Sequence, residues 1–112
     1  MIEKIQKGYI LLFFFTLLFI AISCKKDNTP PVITVLGSNP YNYCIQLPET
    51  PPYEDPGATA LDDEDGDITS GISTSSNVDV NAPGIYNVTY TVQDKAGNTA
   101  TANREVQVMY CK

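Results

Sequence analysis

The stretch GIYNVTYTVQD at residues 84–94 decides the fold, because apolar and polar side chains alternate in it from Tyr86 onward. Tyr86, Val88, Tyr90 and Val92 fall on one face of an extended chain, and the side chains between them are asparagine, threonine and glutamine. Successive side chains of a β-strand point to opposite faces. The alternation therefore predicts a strand with one face in a core and the other in water.

A second run follows the turn at residues 95–98 and extends to Tyr110, so the two runs predict a long β-hairpin. Its apolar positions keep one phase: Ala100, Ala102, Val106, Val108 and Tyr110. Arg104 falls in the same phase. We therefore expect either a β-bulge at Arg104 or a side chain that extends to the edge of the sheet.

The remaining domain sequence predicts shorter strands between turns rich in proline and glycine. Their ranges are 32–36, 41–47, 58–61, 68–72 and 78–80. No stretch keeps a helical period, and seven short strands predict an all-β fold of two packed sheets. In the run 41–47 we expect Tyr43, Ile45 and Leu47 to point inward. Aromatic residues at 41, 43 and 53 predict either a contact surface for a ligand or, for at least one of them, a place in the core.

The N-terminus has the order of an export signal, and residues 1–23 are predicted to be a signal peptide. Lys4 and Lys7 precede an apolar run at residues 9–22, and Ser23 follows it. That run is shorter than the roughly 20 residues that a bilayer-spanning helix needs, which disfavours a permanent transmembrane anchor.

Residues 20–24, IAISC, resemble the bacterial lipobox, in which small residues precede a cysteine that receives a diacylglycerol thioether. The position three before the cysteine is Ala21, where the lipobox usually has leucine. The resemblance implies that Cys24 is lipidated and inserts in a membrane, with residues 24–31 as lipidated cysteine and flexible tether. The alternative is an ordinary secretory signal with Cys24 as a free thiol.

The other two cysteines are Cys44 and Cys111. Both are out of phase with the neighbouring apolar positions, so their sulfur atoms belong on the same kind of face. In an oxidising compartment this predicts a Cys44–Cys111 disulfide, and two unpaired thiols remain the alternative.

The charge balance is acidic, with a formal net charge of −6. Cleavage before Cys24 leaves five basic side chains against twelve acidic ones, which disfavours nucleic acid as a partner. Histidine is absent, so Ser-His-Asp and Cys-His catalysis are excluded, and a carboxylate pair is the remaining catalytic arrangement. Acidic residues are common on any soluble surface, and their spacing in the sequence does not indicate a catalytic cleft. We therefore predict that the chain is not an enzyme.

The run DDEDGD at residues 62–67 concentrates carboxylates, whose mutual repulsion a calcium ion would relieve. An EF-hand does not fit, since apolar residues would take its first and last positions. A site between loops could add Asp55 or Asp94 to this run. The predicted calcium ligands are Asp62, Asp63, Asp65 and Asp67, and the alternative is a solvated acidic turn.

Four motifs occur in an order that resembles a known bacterial family: PVITVLG at 31–37, YEDPGATA at 53–60, DGDIT at 65–69 and GIYNVTYTVQDKAGNTA at 84–100. The chain is similar to bacterial immunoglobulin-like domains of the HYR-like or DUF5011 type, found in surface proteins, adhesins and modular hydrolases. The resemblance implies an immunoglobulin-like β-sandwich of about seven strands over residues 32–112, with no catalytic residues.

Together these features predict a lipoprotein of the bacterial cell envelope, anchored by its N-terminal lipid in the outer membrane and either exposed at the cell surface or facing the periplasm. Its domain would be a non-catalytic interaction or adhesion module for a protein or polysaccharide ligand. The alternative is a structural spacer or assembly subunit without a ligand of its own.

Overall fold

A computed structural model describes residues 25–112, so the predicted signal peptide and Cys24 lie outside the described residues. Within that part of the chain, no helix is long and apolar enough to cross a membrane. One short 3₁₀ turn, Thr69–Gly71, accompanies seven strands: β1 (Val32–Val35), β2 (Tyr41–Ile45), β3 (Ala58–Asp62), β4 (Gly66–Asp67), β5 (Ser73–Ser76), β6 (Gly84–Gln93) and β7 (Thr99–Tyr110).

The strands form two sheets, which confirms the predicted all-β sandwich. One sheet has the order β1-β3-β4 and the other the order β2-β7-β6-β5. Strands β6 and β7 are antiparallel in unbroken register from Gly84 opposite Val108 to Gln93 opposite Thr99, as the hairpin prediction required. Strand β2 lies parallel to β7, with Tyr43 opposite Val108.

The core lies between the sheets and is centred on the inward face of β6. Val88 and Tyr90 are completely buried there, as the alternation predicted. They pack with inward side chains of β2 and β7, chiefly Tyr43, Val106 and Val108. A buried valine side chain contributes about 1.5–3 kcal/mol to the free energy of folding. Burial of this face therefore stabilises the packing of the hairpin on the rest of the domain.

Two predicted strands are wrong. Residues 68–72 contain the 3₁₀ turn, and residues 78–80 lie in the connection between β5 and β6. Asp67 and Asp79 each accept a hydrogen bond from the backbone N–H two residues later, at 2.9 Å. Such aspartate turns bend the chain and override the β preference of the neighbouring valine and isoleucine residues.

Strand β5 has no apolar alternation, since its sequence is STSS and all four residues are exposed. It pairs antiparallel with β6, with Ser75 opposite Thr89. The inward placement predicted for Leu47 is also wrong: this side chain is 81% exposed. Strand β2 ends at Ile45, so the alternation that places Tyr43 and Ile45 inward does not continue to Leu47.

Both expectations for Arg104 are wrong. The register of β6 and β7 runs through it without interruption, and Arg104 lies directly opposite Val88. Its side chain is completely buried instead of extending to an edge. A guanidinium group can occupy a core only if its donors are satisfied there, which is the case here.

Candidate functional site

The four predicted calcium ligands lie around the turn between β3 and β4 and do not converge. Asp62 is buried at the end of β3, whereas Asp63 and Asp67 are exposed and Asp65 is half-buried. Asp65 accepts a hydrogen bond from the backbone N–H of Lys95 at 2.7 Å. Asp67 accepts one from the backbone within its own turn.

A different set of carboxylates does converge, and we call it the aspartate cluster: Asp27, Asp62 and Asp94. One oxygen from each lies within 4.8 Å of the others. Asp27 precedes β1, Asp62 ends β3 and Asp94 follows β6, so three separate parts of the chain meet at one end of the sandwich. Asp62 and Asp94 are each only 6% exposed, and Asp27 is half-buried. Of the two loop acids considered with the run 62–67, Asp94 is therefore near Asp62.

The two oxygens of Asp62 have different surroundings. Oδ2 accepts hydrogen bonds from the backbone N–H groups of Glu64 at 3.1 Å and Asp65 at 2.9 Å. Oδ1 is buried and has no hydrogen-bond partner among the described residues. Burial of a carboxylate oxygen without a donor is costly, and such atoms are uncommon in folded proteins.

Asn98 ties the segment before β1 to the turn between β6 and β7. Its Nδ2 donates to Asp94 Oδ2 at 2.8 Å and to the backbone oxygens of Asp27 at 3.2 Å and Thr29 at 3.4 Å. Its backbone N–H donates to Asp94 Oδ1 at 2.8 Å. Part of the predicted tether, residues 24–31, therefore contacts the domain, and its last residue, Pro31, is buried.

The charges of the cluster affect each other. The N–H of Thr29 lowers the pKa of Asp27, but burial and the negative charges of Asp62, Asp63 and Asp94 together raise that pKa above its usual value. Burial alone would raise the pKa of Asp94, yet the hydrogen bonds from Asn98 lower it. Three carboxylate oxygens at this spacing are a donor set that a hard divalent cation could share.

A second polar group lies inside the sandwich, around Arg104. Its Nε donates to Asp55 Oδ1 at 2.9 Å, in an ion pair whose guanidinium is fully buried. Its Nη atoms donate to the backbone oxygens of Leu36, Ser38 and Gly57. Arg104 therefore holds together the β1–β2 loop and the segment that enters β3.

Both oxygens of Asp55 are occupied by protein donors. Tyr53 donates to Oδ1 at 2.7 Å, Tyr90 to Oδ2 at 2.5 Å and the N–H of Gly57 to Oδ2 at 3.0 Å. Burial by itself would raise the pKa of Asp55, but these hydrogen bonds and the charge of Arg104 hold it below its usual value. Burial and the contact with Asp55 raise the pKa values of both tyrosines. Asp55 is thus committed to a structural contact and does not join the aspartate cluster.

The structure joins Cys44 and Cys111 as a disulfide, with their Cα atoms 5.2 Å apart, within the usual range. Both residues are exposed, as the phase argument required. The disulfide connects β2 to the residue after β7, and these two strands are neighbours in the four-stranded sheet.

The aromatic residues near β2 belong mainly to the core. Tyr43 is 8% exposed and donates a hydrogen bond to the backbone oxygen of Pro51. Tyr41 and Tyr53 are half-buried and meet edge to face, with ring centroids 5.4 Å apart. The prediction that at least one of these tyrosines lies in the core is confirmed.

The outer face of the four-stranded sheet is polar and largely uncharged around β5 and the middle of β6 and β7, whereas the apolar side chains of Ile85 and Met109 are exposed at one end of it. Thr89 on β6 donates to Asn103 on β7 at 2.8 Å, and Thr101 is exposed beside them. A shallow depression of about 270 Å³ opens on this face, lined by Ser75, Ser76, Asn77, Asn87 and Thr89. Hydroxyl and amide groups therefore dominate this surface.

Sequence reasoning missed Asp27 and gave Asp94 only as one of two loop acids. A signal for Asp62 and Asp94 was present in the strand patterns. Asp62 continues the inward phase of Ala60, and Asp94 continues the inward phase of Val92. Asp27 lies in an irregular segment, where alternation gives no information.

Comparison with known proteins identifies the domain. The family model of the Ig-like domain of bacterial surface proteins matches residues 33–108. An outer cell wall protein of Brevibacillus brevis is 39% identical in an alignment of 97 residues, and the match covers 72% of this chain and 9% of that protein.

Solved structures share the fold. A lipoprotein from Bacteroides thetaiotaomicron, BT2262, has a TM-score of 0.55 and 28% identity, with 73% of this chain and 39% of that chain covered. The structure of CBM51-2 in complex with GlcNAc and INT domains from Clostridium perfringens ZmpB has a TM-score of 0.52 and 33% identity, with 72% and 17% covered. The chain thus spans less than two thirds of each of these proteins. From the match over residues 33–108, this chain belongs to the family of Ig-like domains of bacterial surface proteins.

Proposed function

We propose that this chain is a lipid-anchored protein of the bacterial cell envelope whose Ig-like domain is a non-catalytic interaction module. The observation that carries the proposal is the family match over residues 33–108. The similarity to an outer cell wall protein and to a Bacteroides lipoprotein supports the envelope location.

The anchor in this proposal is Cys24, with residues 1–23 as its signal peptide. The lipid attaches to the chain directly before Lys25, and residues 25–31 lead from there to β1. A lipidated N-terminal cysteine carries more than one acyl chain, which is what stable membrane attachment requires. The outer membrane is the proposed site of insertion, with the domain exposed at the surface.

The non-catalytic role in this proposal is supported by the match to an Ig-like domain of bacterial surface proteins, and the contacts of two polar side chains are consistent with it. The carboxylate of Asp55 is committed to Arg104 and two tyrosines, and the hydroxyl of Tyr43 to a backbone oxygen. These contacts hold the sandwich together, so they give both side chains a structural role.

The ligand surface in this proposal is the outer face of the four-stranded sheet. Its hydroxyl and amide groups can exchange hydrogen bonds with a neutral ligand rich in hydroxyl groups, so a polysaccharide is the first class to test. A protein ligand is the alternative, and for it the free edge of β5 offers unpaired backbone groups that an added strand could use.

Mass spectrometry of the intact protein from its native membrane tests the anchor. A chain that starts at Cys24 and carries a lipid-sized mass increment is the expected result. In the Cys24→Ser variant the increment disappears and the protein leaves the membrane fraction. A wild-type chain without lipid, or one that retains residues before Cys24, contradicts the lipoprotein part of the proposal.

Binding to a panel of neutral glucans and N-acetylglucosamine oligosaccharides tests the ligand surface. Thr101→Arg adds a large charged side chain to the proposed face, and Thr34→Arg adds the same group to the exposed side of β1 in the other sheet. We expect Thr101→Arg to abolish binding and Thr34→Arg to preserve it. Equal behaviour of the two variants would exclude this face, and no binding by the wild type would favour the spacer alternative.

A further inference from the structure

From the aspartate cluster we infer that Asp27, Asp62 and Asp94 form a calcium site that fastens the segment before β1 to the end of the sandwich. Of the four calcium ligands predicted in the run 62–67, only Asp62 belongs to this inferred site. It is independent of the ligand surface proposed above.

The first argument is convergence. The three carboxylates come from distant parts of the sequence, yet one oxygen of each lies within 4.8 Å of the others. Like charges at such distances repel strongly in a partly buried environment. A divalent cation between them converts this repulsion into attraction, whereas exposed acids on a turn can simply move apart.

The second argument is the unpartnered oxygen of Asp62. The side chain is more than nine-tenths buried, and its Oδ2 is fixed by two backbone N–H groups. These bonds hold the carboxylate in one orientation and leave Oδ1 buried without a donor among the described residues. A metal ion is a partner that satisfies a carboxylate oxygen without requiring a donor hydrogen.

The nature of the donors selects the ion. All three are carboxylates, which suits hard cations and not zinc or copper, which prefer nitrogen or sulfur ligands. Calcium accepts six to eight oxygens in irregular geometry, whereas magnesium requires a near-ideal octahedron and keeps most of its water. Ligands from two strand ends and an irregular segment fit calcium better, with water in the remaining positions.

The consequence concerns the chain that leads to the predicted lipid anchor. Asp27 is the only one of the three ligands that precedes β1, and Asn98 already holds the backbone oxygens of Asp27 and Thr29. A calcium ion would add a second attachment at the same place. The segment 25–31 is then rigid in calcium and less restrained without it.

Calorimetric titration of the full-length protein with calcium chloride, in detergent and after removal of metals, tests the site. We expect one ion per chain with a dissociation constant on the order of 10⁻⁴ M, as in extracellular calcium modules. Asp27→Asn and Asp94→Asn should weaken binding roughly tenfold or more, because each removes one charged ligand. Asp27 lies outside the strands, so its variant tests the site even if another variant fails to fold.

Glu64→Gln is the matched control, because it removes one negative charge from the exposed turn beside Asp62. We expect it to bind calcium as the wild type does. No binding at millimolar calcium by the folded wild type would overturn the site. Binding that survives both Asp27→Asn and Asp94→Asn but is lost in Glu64→Gln would assign the ion to the acidic turn instead.

Hydrogen exchange measured by mass spectrometry tests the fastening. Calcium should slow exchange of the backbone amides of residues 27–29, which precede two prolines, in the wild type and leave them unchanged in Asp27→Asn. Calcium binding without any slowing of this segment would overturn the fastening, even if the ion binds at the cluster.

Discussion

Replacement of Arg104 by methionine removes the buried guanidinium but keeps a side chain of similar reach. The substitution leaves the Asp55 carboxylate without its counter-charge. This carboxylate is only 20% exposed, so water replaces the lost contact only in part. It also removes the donor from the backbone oxygens of Leu36, Ser38 and Gly57. We therefore expect a large loss of stability.

The size of the loss follows from the two contributions. Removal of one partner of a buried ion pair costs about 3–5 kcal/mol, because the other charge remains buried. Each backbone oxygen that loses its donor and stays buried adds about 1–3 kcal/mol, unless water reaches it. Since domains of this size are stable by roughly 5–15 kcal/mol, Arg104→Met should lose most of its free energy of unfolding.

Urea denaturation followed by circular dichroism measures the effect, and two further variants separate its causes. Arg104→Lys keeps the charge but loses the planar donor group, so it should lose less stability than Arg104→Met. In the double variant Asp55→Asn, Arg104→Met the unpaired charge is gone, and part of the stability lost by Arg104→Met should return. A loss below about 1 kcal/mol for Arg104→Met would refute the role assigned to this ion pair.

The same ion pair predicts an acid dependence. The pKa of Asp55 is lower in the folded chain than its usual value, so its ionised form stabilises the fold above the usual pKa. This contribution is lost as the pH falls through the lowered pKa. Wild-type stability should therefore decline below about pH 4 more steeply than that of Asp55→Asn. Parallel acid limbs in the two proteins would contradict this assignment.

Three further changes test the framework of the domain. Reduction of the Cys44–Cys111 disulfide, which closes a separation of 67 residues, should lower the free energy of unfolding by about 4 kcal/mol in chemical denaturation. Gly37→Ala should lower the melting temperature more than Gly66→Ala: both glycines have positive φ, but only at Gly37 would a Cβ lie 3.2 Å from a proline ring carbon. Tyr43→Ser should lower the free energy of unfolding by about 3–5 kcal/mol, because it empties a core position. An unchanged midpoint of urea denaturation would contradict the assignment of Tyr43 to the core.

The sequence was most informative where one face of a strand is buried. The alternation at Tyr86, Val88, Tyr90 and Val92 predicted both the strand β6 and its inward face, because burial on one side imposes a period of two. It was uninformative for Ser73–Ser76, which forms a strand through backbone pairing with β6 and buries none of its side chains. A strand held by its neighbour alone leaves no apolar pattern to read.

The polar positions were harder to interpret, and the reason is geometric. The run at residues 62–67 concentrates acids in sequence, but a tight turn points adjacent side chains in different directions, so only Asp62 reaches the aspartate cluster. Its companion Asp27 comes from an irregular segment that no periodicity describes. Density of charge along a chain is therefore a poor guide to convergence in space.

Phase within a strand is the better guide. Arg104, Asp62 and Asp94 all fall at inward positions of strands or directly continue them, and all three are buried. A charged side chain at such a position must find a partner or an ion, because its desolvation is otherwise uncompensated. Arg104 finds Asp55, and its donors are satisfied. Asp62 keeps one oxygen without a donor among the described residues, and this difference between two otherwise similar buried charges is the observation that supports the calcium site inferred at the aspartate cluster.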